Sequence, residues 1–181
     1  IAKIPTIPIA LDLYESRGVN QVLNNQISIY DFIHYILVLE IDGTVFAAST
    51  ANKLGEKLQG EQLLLLNATE HPLYPQETSS ITNGPVDHDP YLDIIGKAGG
   101  LSQWYVAPIE KKGVLAGWIV LSTDWANINL QLLNSIVEEL SSTGNPISGA
   151  FITDKKEQLL LSNHGGQLSA SLQGATNLAL H

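Results

Sequence analysis

The pattern of apolar positions is clearest in residues 35–49, where two β-branched runs flank Asp42 and Gly43. An Asp-Gly pair suits the positive φ of a tight turn, so this segment is predicted to be a hairpin with a two-residue connection. Before it, apolar residues recur close to helical spacing from about residue 8 to residue 27, which predicts a helix. The first elements are therefore expected to be a helix and an antiparallel ribbon.

The same reasoning predicts further elements towards the C-terminus. They are a second ribbon (103–109 and 114–122), a helix (127–140) and a last hairpin (149–154 and 158–162). A short helix is predicted to end at Leu66. Residues 67–102 contain several prolines and glycines without a clear period, so they are predicted to form a long irregular loop. Such a loop in a compact domain is usually functional.

Composition and charge narrow the classes of function. The chain has 181 residues, of which 44% are hydrophobic, enough for one domain or for one domain and part of a second. The formal net charge is −9 and Arg17 is the only arginine, so the basic face that nucleic acid requires is missing. The absence of cysteine excludes disulfides and thiolate chemistry. No apolar run approaches the ~20 residues of a membrane span. The absence of methionine is expected for a fragment of a longer protein.

No motif predicts an enzyme. Residues 40–44 resemble the Asp-x-Asp-Gly-Thr signature of haloacid-dehalogenase-type phosphatases, but Glu40 replaces the nucleophilic aspartate at a hairpin tip, which favours a simple turn. Nucleophile elbows, phosphate-binding loops and His-Glu-x-x-His patterns are missing from the sequence. We therefore expect no catalysis, no cofactor and no metal.

The main candidate ligand-binding residues are aromatic. Tyr91, Trp104, Tyr105 and Trp118 lie in or beside the predicted loop and the second ribbon. Small-molecule pockets use aromatic walls with a few polar groups. Adjacent residues of a strand face opposite sides, so one of Trp104 and Tyr105 is expected to face a pocket. Packing of Trp104 and Trp118 in the core remains the open alternative.

Three polar residues complete the candidate ligand-binding set. His88 and Asp89 belong to the triplet 87–89, a tight cluster of histidine and acids before a proline. Metal ligands usually come from separated elements, so the triplet is expected to be solvated or to cap a turn. Asp124 follows the second ribbon and is expected either to receive a ligand cation or to cap the next helix.

The order of these segments resembles an extracellular Cache sensor domain. The likeness is carried by residues 35–49, 54–58, 89–92 and 104–125, and it covers about residues 8–140. Cache domains are similar to PAS folds, so the resemblance implies an α+β fold with an antiparallel sheet of five to six strands and a long N-terminal helix. It also implies a sensor domain at residues 1–140 and the start of an incomplete, membrane-proximal second module at residues 141–181.

The resemblance implies a function as well. A small molecule would bind between the sheet and residues 67–102, on the periplasmic or extracellular face of the membrane. The parent protein would be a homodimeric, membrane-spanning receptor such as a chemoreceptor, a sensor histidine kinase or a cyclic-dinucleotide enzyme.

One position departs from the family pattern. Amino-acid-binding members carry an arginine two residues before a Trp-Tyr pair, where it holds the ligand carboxylate. Trp104 and Tyr105 match the pair, but Ser102 replaces the arginine, which argues against an α-amino acid. The alternative function is an intracellular scaffold of the roadblock or profilin type, without a ligand pocket, as residues 132–161 also resemble the start of such a domain. That scaffold has no use for residues 67–102.

Overall fold

The computed structural model describes residues 6–13, 16–49, 63–77, 80–97, 100–144, 149–154 and 159–163. The chain divides into two compact units, Ile1–Trp125 and Ala126–His181. None of the helices in the described ranges is both long and apolar enough to cross a membrane. The predicted motif at residues 54–58 lies outside the described residues, as does most of the short helix predicted to end at Leu66.

The first unit is an antiparallel sheet with helices. Among the described residues, its helices are α1 (Thr6–Leu13), α2 (Ser16–Ile27) and α3 (Pro90–Ile94), and its strands are β1 (Ile33–Leu39), β2 (Val45–Ala48), β3 (Thr82–His88), β4 (Leu101–Lys111) and β5 (Val114–Asp124). The strand order is β2-β1-β5-β4-β3, and every neighbouring pair is antiparallel. This confirms the predicted α+β fold with a PAS-like sheet. The predicted N-terminal helix is realised as two helices, α1 and α2.

The sheet has a hydrophobic core on each face. On the helix face, α1 and α2 pack their apolar residues against Ile36 and Val38 of β1. On the opposite face, which we call the segment face, Tyr35 and Leu37 of the same strand pack against apolar residues within 63–74 and 91–95. All seven residues of β1 are buried. This explains why β1 reads as an almost continuous apolar run rather than an alternating one.

The first hairpin is confirmed, but its two-residue connection is wrong. Leu39 pairs with Val45, so residues 40–44 form the connection. Gly43 has the expected positive φ of 88°. The Asp42 side chain accepts a hydrogen bond from the backbone N–H of Thr44 at 2.9 Å. An aspartate that bonds the backbone two residues on builds its own turn, which lengthens the loop.

The prediction that residues 67–102 form one irregular loop is wrong. They contain a 3₁₀ turn (Ala68–Glu70), β3 and α3. Strand β3 lies at the edge of the sheet, and Pro85 lies at an irregularity in its pairing between Asn83 and Val86. Proline within a sheet is tolerated at edges and bulges because no ladder hydrogen bond is lost there.

The remaining elements match the predictions. The second ribbon is the β4–β5 hairpin, which turns at Lys112 and Gly113 with φ values of 51° and 78°. Two consecutive positive φ angles are the mark of a type I′ turn. The predicted helix is α4 (Trp125–Ser142), and the last hairpin is β6 (Phe151–Thr153) paired with β7 (Leu159–Ser162). The role of residues 141–181 as a second module stays a prediction.

Candidate functional site

Asp89 begins α3 on the segment face of the sheet. Its Oδ1 accepts a hydrogen bond from the backbone N–H of Tyr91 at 2.9 Å, and Pro90 occupies the start of the helix. An acidic N-cap followed by proline is a favoured helix start. Asp89 is fully buried. The capping role expected for the triplet 87–89 is therefore present, whereas solvation does not apply to Asp89.

Four further side chains donate hydrogen bonds to the Asp89 carboxylate. The donors are Tyr35 Oη (2.5 Å), His71 Nε2 (2.7 Å), Ser122 Oγ (2.8 Å) and Trp104 Nε1 (3.3 Å). They come from β1, from residues 63–77 before β3, from β5 and from β4. We call residues 63–77 the covering segment, so the carboxylate connects three strands and the covering segment. We call Asp89, Tyr35, His71, Tyr91, Trp104 and Ser122 the Asp89 cluster.

The hydrogen bonds of His71 fix its protonation state. Its Nδ1 accepts the backbone N–H of Leu73 at 3.1 Å, and its Nε2 lies 2.7 Å from Asp89 Oδ1. A nitrogen that accepts an N–H carries no proton of its own, whereas the nitrogen beside a carboxylate must donate. His71 is therefore a neutral imidazole with the proton on Nε2.

The electrostatics of the cluster follow from burial and these bonds. Burial raises the pKa of Asp89. The hydrogen bond from His71, the attraction of the His71 ring when it is protonated, and donation from Tyr35 and Ser122 together outweigh burial and leave the pKa below its usual value. Burial, the charge of Asp89 and the donated hydrogen bond raise the pKa of Tyr35 well above the usual range. Burial raises the pKa of Tyr91 to about 12, with Asp89 and Glu70 adding to the shift. Both tyrosines therefore remain protonated donors at neutral pH.

The aromatic rings of the cluster contact one another. The His71 ring stacks on the Trp104 ring with centroids 3.8 Å apart and planes 14° apart, and it meets the Tyr91 ring edge-on at 4.4 Å. Trp104 is fully buried and Tyr91 is 6% exposed. These rings fill the space between the sheet and the covering segment where the sequence predicted an aromatic cavity.

The structure brings some of the predicted ligand-binding residues together and separates others. Asp89, Tyr91 and Trp104 belong to one cluster. Trp118 is buried on the same face but pairs with Leu39, four residue pairs along β1 from the pair that Tyr35 makes with Ser122. Tyr105 is 42% exposed and bonds Gln103, and its side chain alternates with that of Trp104. His88 is exposed and lies 3.5 Å from Asp93.

Beside the cluster is a set of polar groups that we call the polar corner: His34, Lys97, Ser102 and Asp124. Ser102 pairs directly with Asp124 across β4 and β5. The Lys97 ammonium donates to the backbone carbonyl of His34 at 3.1 Å. Burial and the charge of Lys97 lower the pKa of His34, while the charges of Asp124 and Asp89 oppose this shift. The imidazole is neutral at pH 7.

Two side-chain atoms of the polar corner are buried without a hydrogen-bond partner among the described residues. They are His34 Nε2 and Ser102 Oγ, and the hydroxyl of Thr82 on β3 shares this property. Ser102 is fully buried and His34 is 8% exposed. Ser102 is two residues from Trp104 on a regular part of β4, so both side chains face the segment side.

A separate concavity lies at the hairpin tips. It has a volume of about 730 Å³ and its walls come from Leu11, from residues 40–42 and 114–116, and from Lys111. None of the predicted ligand-binding residues lines it. In the described part of the chain, no group of three histidine or acidic side chains is arranged to hold a metal.

Sequence reasoning missed His71, Tyr35 and Ser122. His71 lies 18 residues from its partner Asp89, and Tyr35 lies 54 residues from it, so no local spacing connects them. Ser122 was not predictable from the connection expected at residues 110–113, which would place Ile119 opposite Trp104. The observed turn at residues 112–113 and the irregularity between Ile109 and Glu110 place Ser122 there instead. Tyr35 could have been recognised as a buried residue of this face, because it lies two residues before the apolar Leu37 on the same strand.

Comparisons with known proteins place this fold among receptor sensor domains. No protein-family model matches the chain, and the search of curated proteins gives no match. The sensory domain of the Campylobacter jejuni chemoreceptor Tlp3 matches with a TM-score of 0.58 and 15% identity, over 95% of this chain and 60% of that chain.

Two other solved structures agree with this match. The Tlp3 ligand-binding domain in complex with L-valine has a TM-score of 0.59 and 15% identity, over 98% of this chain and 65% of that one. The sensor domain of the histidine kinase DctB from V. cholerae has a TM-score of 0.52 and 16% identity, over 91% and 56%. The chain thus spans less than two thirds of the length of these structures. Its fold is the PAS-like fold of receptor sensor domains, as the resemblance to Cache domains predicts.

Proposed function

We propose that this chain is the sensor part of a homodimeric transmembrane receptor, lies outside the cytoplasm, and binds a small polar molecule at the polar corner. The observation that carries the proposal is the pair of buried polar atoms, His34 Nε2 and Ser102 Oγ, without a partner among the described residues. Buried polar groups almost always have a partner, which a bound ligand would supply here. The fold that the chain shares with sensor domains of a chemoreceptor and a histidine kinase supports the receptor role.

The charges of the site indicate the class of ligand. The Tlp3 domain has been crystallised with L-valine, but Ser102 cannot hold a carboxylate as an arginine fork does. Asp89 and Asp124 give the corner a negative field, and Lys97 donates to the carbonyl of His34. We therefore propose a ligand that carries N–H or O–H donors and no carboxylate. Asp124 would accept its donors, with Trp104 close by on the same face.

The other predicted ligand-binding residues would not contact the ligand directly in this proposal. Tyr91 and Asp89 would support the corner through the Asp89 cluster, whereas Tyr105, Trp118 and His88 lie apart from it. Residues 63–97 pack into the core of the first unit. An intracellular roadblock-type scaffold would have no use for this segment, so we do not favour that alternative.

The test is a thermal-shift screen with pools of amines, polyols, nucleosides and amino acids. A ligand present at 100 times its Kd stabilises the folded state by about 2.7 kcal/mol. Ser102→Ala removes a buried hydroxyl that has no described partner, so the ligand-free variant is expected to be as stable as the wild type. The same variant is expected to lose most of the ligand-induced shift.

Ser135→Ala is the matched control, because this exposed hydroxyl on α4 bonds only to the turn before it. It should leave both the stability and the shift unchanged. The proposal fails if no pool stabilises the wild type, or if a pool stabilises the wild type and Ser102→Ala equally.

A further inference from the structure

We propose that the Asp89 cluster is a second binding site, built for an imidazole-type ring, and that His71 of the chain itself fills it as an internal ligand. An external ring with the same hydrogen-bonding pattern would compete with His71 for this site. The inference goes beyond the proposed function and does not depend on ligand binding at the polar corner.

The His71 ring makes the contacts that a bound small molecule would make. It stacks on Trp104 at 3.8 Å, meets the edge of Tyr91 at 4.4 Å and donates to Asp89 at 2.7 Å. The His71 side chain is fully buried. An aromatic wall, a perpendicular ring and a carboxylate at hydrogen-bond distance are the usual parts of a site for a flat heterocycle.

The walls of the site do not depend on the imidazole for their positions. Tyr35, Ser122 and Trp104 donate to Oδ2 of Asp89, and Tyr91 donates its backbone N–H to Oδ1. With the ring of His71 removed, Oδ2 keeps its donors and Oδ1 keeps one of its two. The carboxylate would therefore remain in place with one acceptor position open towards the face of Trp104.

The backbone that carries His71 is also anchored without the ring. The N–H of His71 donates to the carbonyl of Ala68 at 3.0 Å, and the N–H of Tyr74 donates to the carbonyl of His71 at 2.9 Å. Ala68 and Leu73 are fully buried on either side. Loss of the ring is thus expected to leave a shaped slot rather than an unfolded segment.

The hydrogen bonds at the two ends of the slot define the ligand class. At one end Asp89 needs an N–H donor, and at the other the backbone N–H of Leu73 needs an acceptor. One ring must supply both, with a donor nitrogen and an acceptor nitrogen separated by one carbon. Neutral imidazole has this arrangement. An imidazolium lacks the acceptor, pyrrole also lacks the acceptor, and thiazole lacks the donor.

The experiment is rescue of His71→Ala by free rings, measured on the whole chain at about pH 8, where an imidazole is neutral. The variant is expected to melt below the wild type, because it loses a stacked ring and a hydrogen bond to a charged group. Imidazole should then raise its melting temperature with a saturable dependence on concentration. Pyrrole and thiazole at the same concentrations should have no such effect, because each satisfies only one end of the slot.

Leu92→Ala is the matched control, because Leu92 is fully buried in the same hydrophobic cluster but its side chain has no polar function. This variant should be destabilised and should not respond to imidazole. The proposal is overturned if imidazole stabilises both variants alike or fails to stabilise His71→Ala.

A measurement on the wild type decides the matter if His71→Ala does not fold. Nitrogen NMR should show His71 as a neutral ring with a slowly exchanging proton on Nε2. A doubly protonated or rapidly exchanging ring would overturn the proposal. The screen on Ser102→Ala is independent of both results, so failure at the Asp89 cluster and failure at the polar corner are distinguishable.

Discussion

Trp104 combines two kinds of interaction at the scale of single residues. Its indole ring is fully buried among the rings of His71, Tyr91 and Tyr35, and its Nε1 donates to the Tyr35 hydroxyl at 2.9 Å. Buried indoles are favourable when the N–H has a partner, because the ring contributes apolar area and the polar atom stays satisfied. Trp104 is therefore expected to stabilise the fold, whatever it contributes to binding.

Truncation of Trp104 separates these contributions. Trp104→Ala should lower the free energy of unfolding by about 3–5 kcal/mol, because it leaves a large cavity. Trp104→Phe keeps a ring but removes the N–H donor, so its loss should be intermediate. Urea unfolding measures both, and the adjacent, 42% exposed Tyr105 offers a control whose alanine variant should lose less than about 1 kcal/mol. A wild-type midpoint for Trp104→Ala would mean that the ring lines an open cavity instead.

Whether a residue of the site could be predicted depended on how far apart in sequence it and its contact partners lie. Trp104, Tyr91 and Asp89 stood out from the sequence by residue type and by their place beside a ribbon or a proline. His71 and Tyr35 did not, because only the folded sheet and its covering segment bring them to Asp89. A histidine before a proline has no spacing that reveals a carboxylate 18 residues away.

At the scale of elements, local hydrogen bonding decided what could be predicted. The hairpins around residue 42 and residue 112 were recognisable because apolar runs and a glycine with positive φ lie next to each other in sequence. Strand β3 was not, since Gly84 and Pro85 usually end strands. Proline is tolerated in β3 because the strand lies at the edge of the sheet. Pairing with β4 holds these residues in a strand conformation that their local sequence does not specify.

Gly84 allows the backbone of Leu73 to pack closely against β3, and a substitution tests this role. A Cβ atom at Gly84 would lie 2.1 Å from the backbone carbonyl oxygen of Leu73, so Gly84→Ala would force the covering segment away from β3. Overpacking of this kind costs about 1–3 kcal/mol, which urea unfolding would measure.

Gly18 in α2 provides the matched control for this prediction. A Cβ atom there would meet nothing within 4 Å. Gly18→Ala should therefore stabilise the protein by about 0.5–1 kcal/mol through helix propensity alone. Equal effects of the two alanine substitutions would contradict the close approach of Leu73 to β3.

At the scale of the whole molecule, the described residues form a five-stranded PAS-like sheet in the first unit and a helix and small hairpin in the second. The sensor domains to which it is similar are longer than this chain. The order of the two N-proximal ribbons and their helices was sufficient to predict this fold, because those elements are set by local pattern, whereas β3 is not. The ligand was not predictable from the sequence. The proposed site depends on buried atoms of His34 and Ser102 that have no hydrogen-bond partner among the described residues, and only the tertiary structure reveals this.

Asp89, a buried carboxylate in the described part of the chain, contributes to the response of the molecule to acid. Asp89 has a pKa below its usual value of 3.8 in the folded state. A depressed pKa contributes stability that is complete above the unfolded-state value and is lost as the pH falls through the folded-state value. We therefore expect the free energy of unfolding to fall steeply below about pH 4.

Asp89→Asn should reveal how much of this acid sensitivity comes from one residue. At pH 7 the variant is expected to be less stable than the wild type, because the amide presents N–H groups to donors that need an acceptor. Asparagine is a good N-cap, so the start of α3 should persist. In urea unfolding at a series of pH values, the difference between variant and wild type should shrink as the pH falls below 4. The exposed Asp93 is the control, and Asp93→Asn should follow the wild type throughout. A difference that stays constant down to pH 3 would mean that folding does not lower the pKa of Asp89.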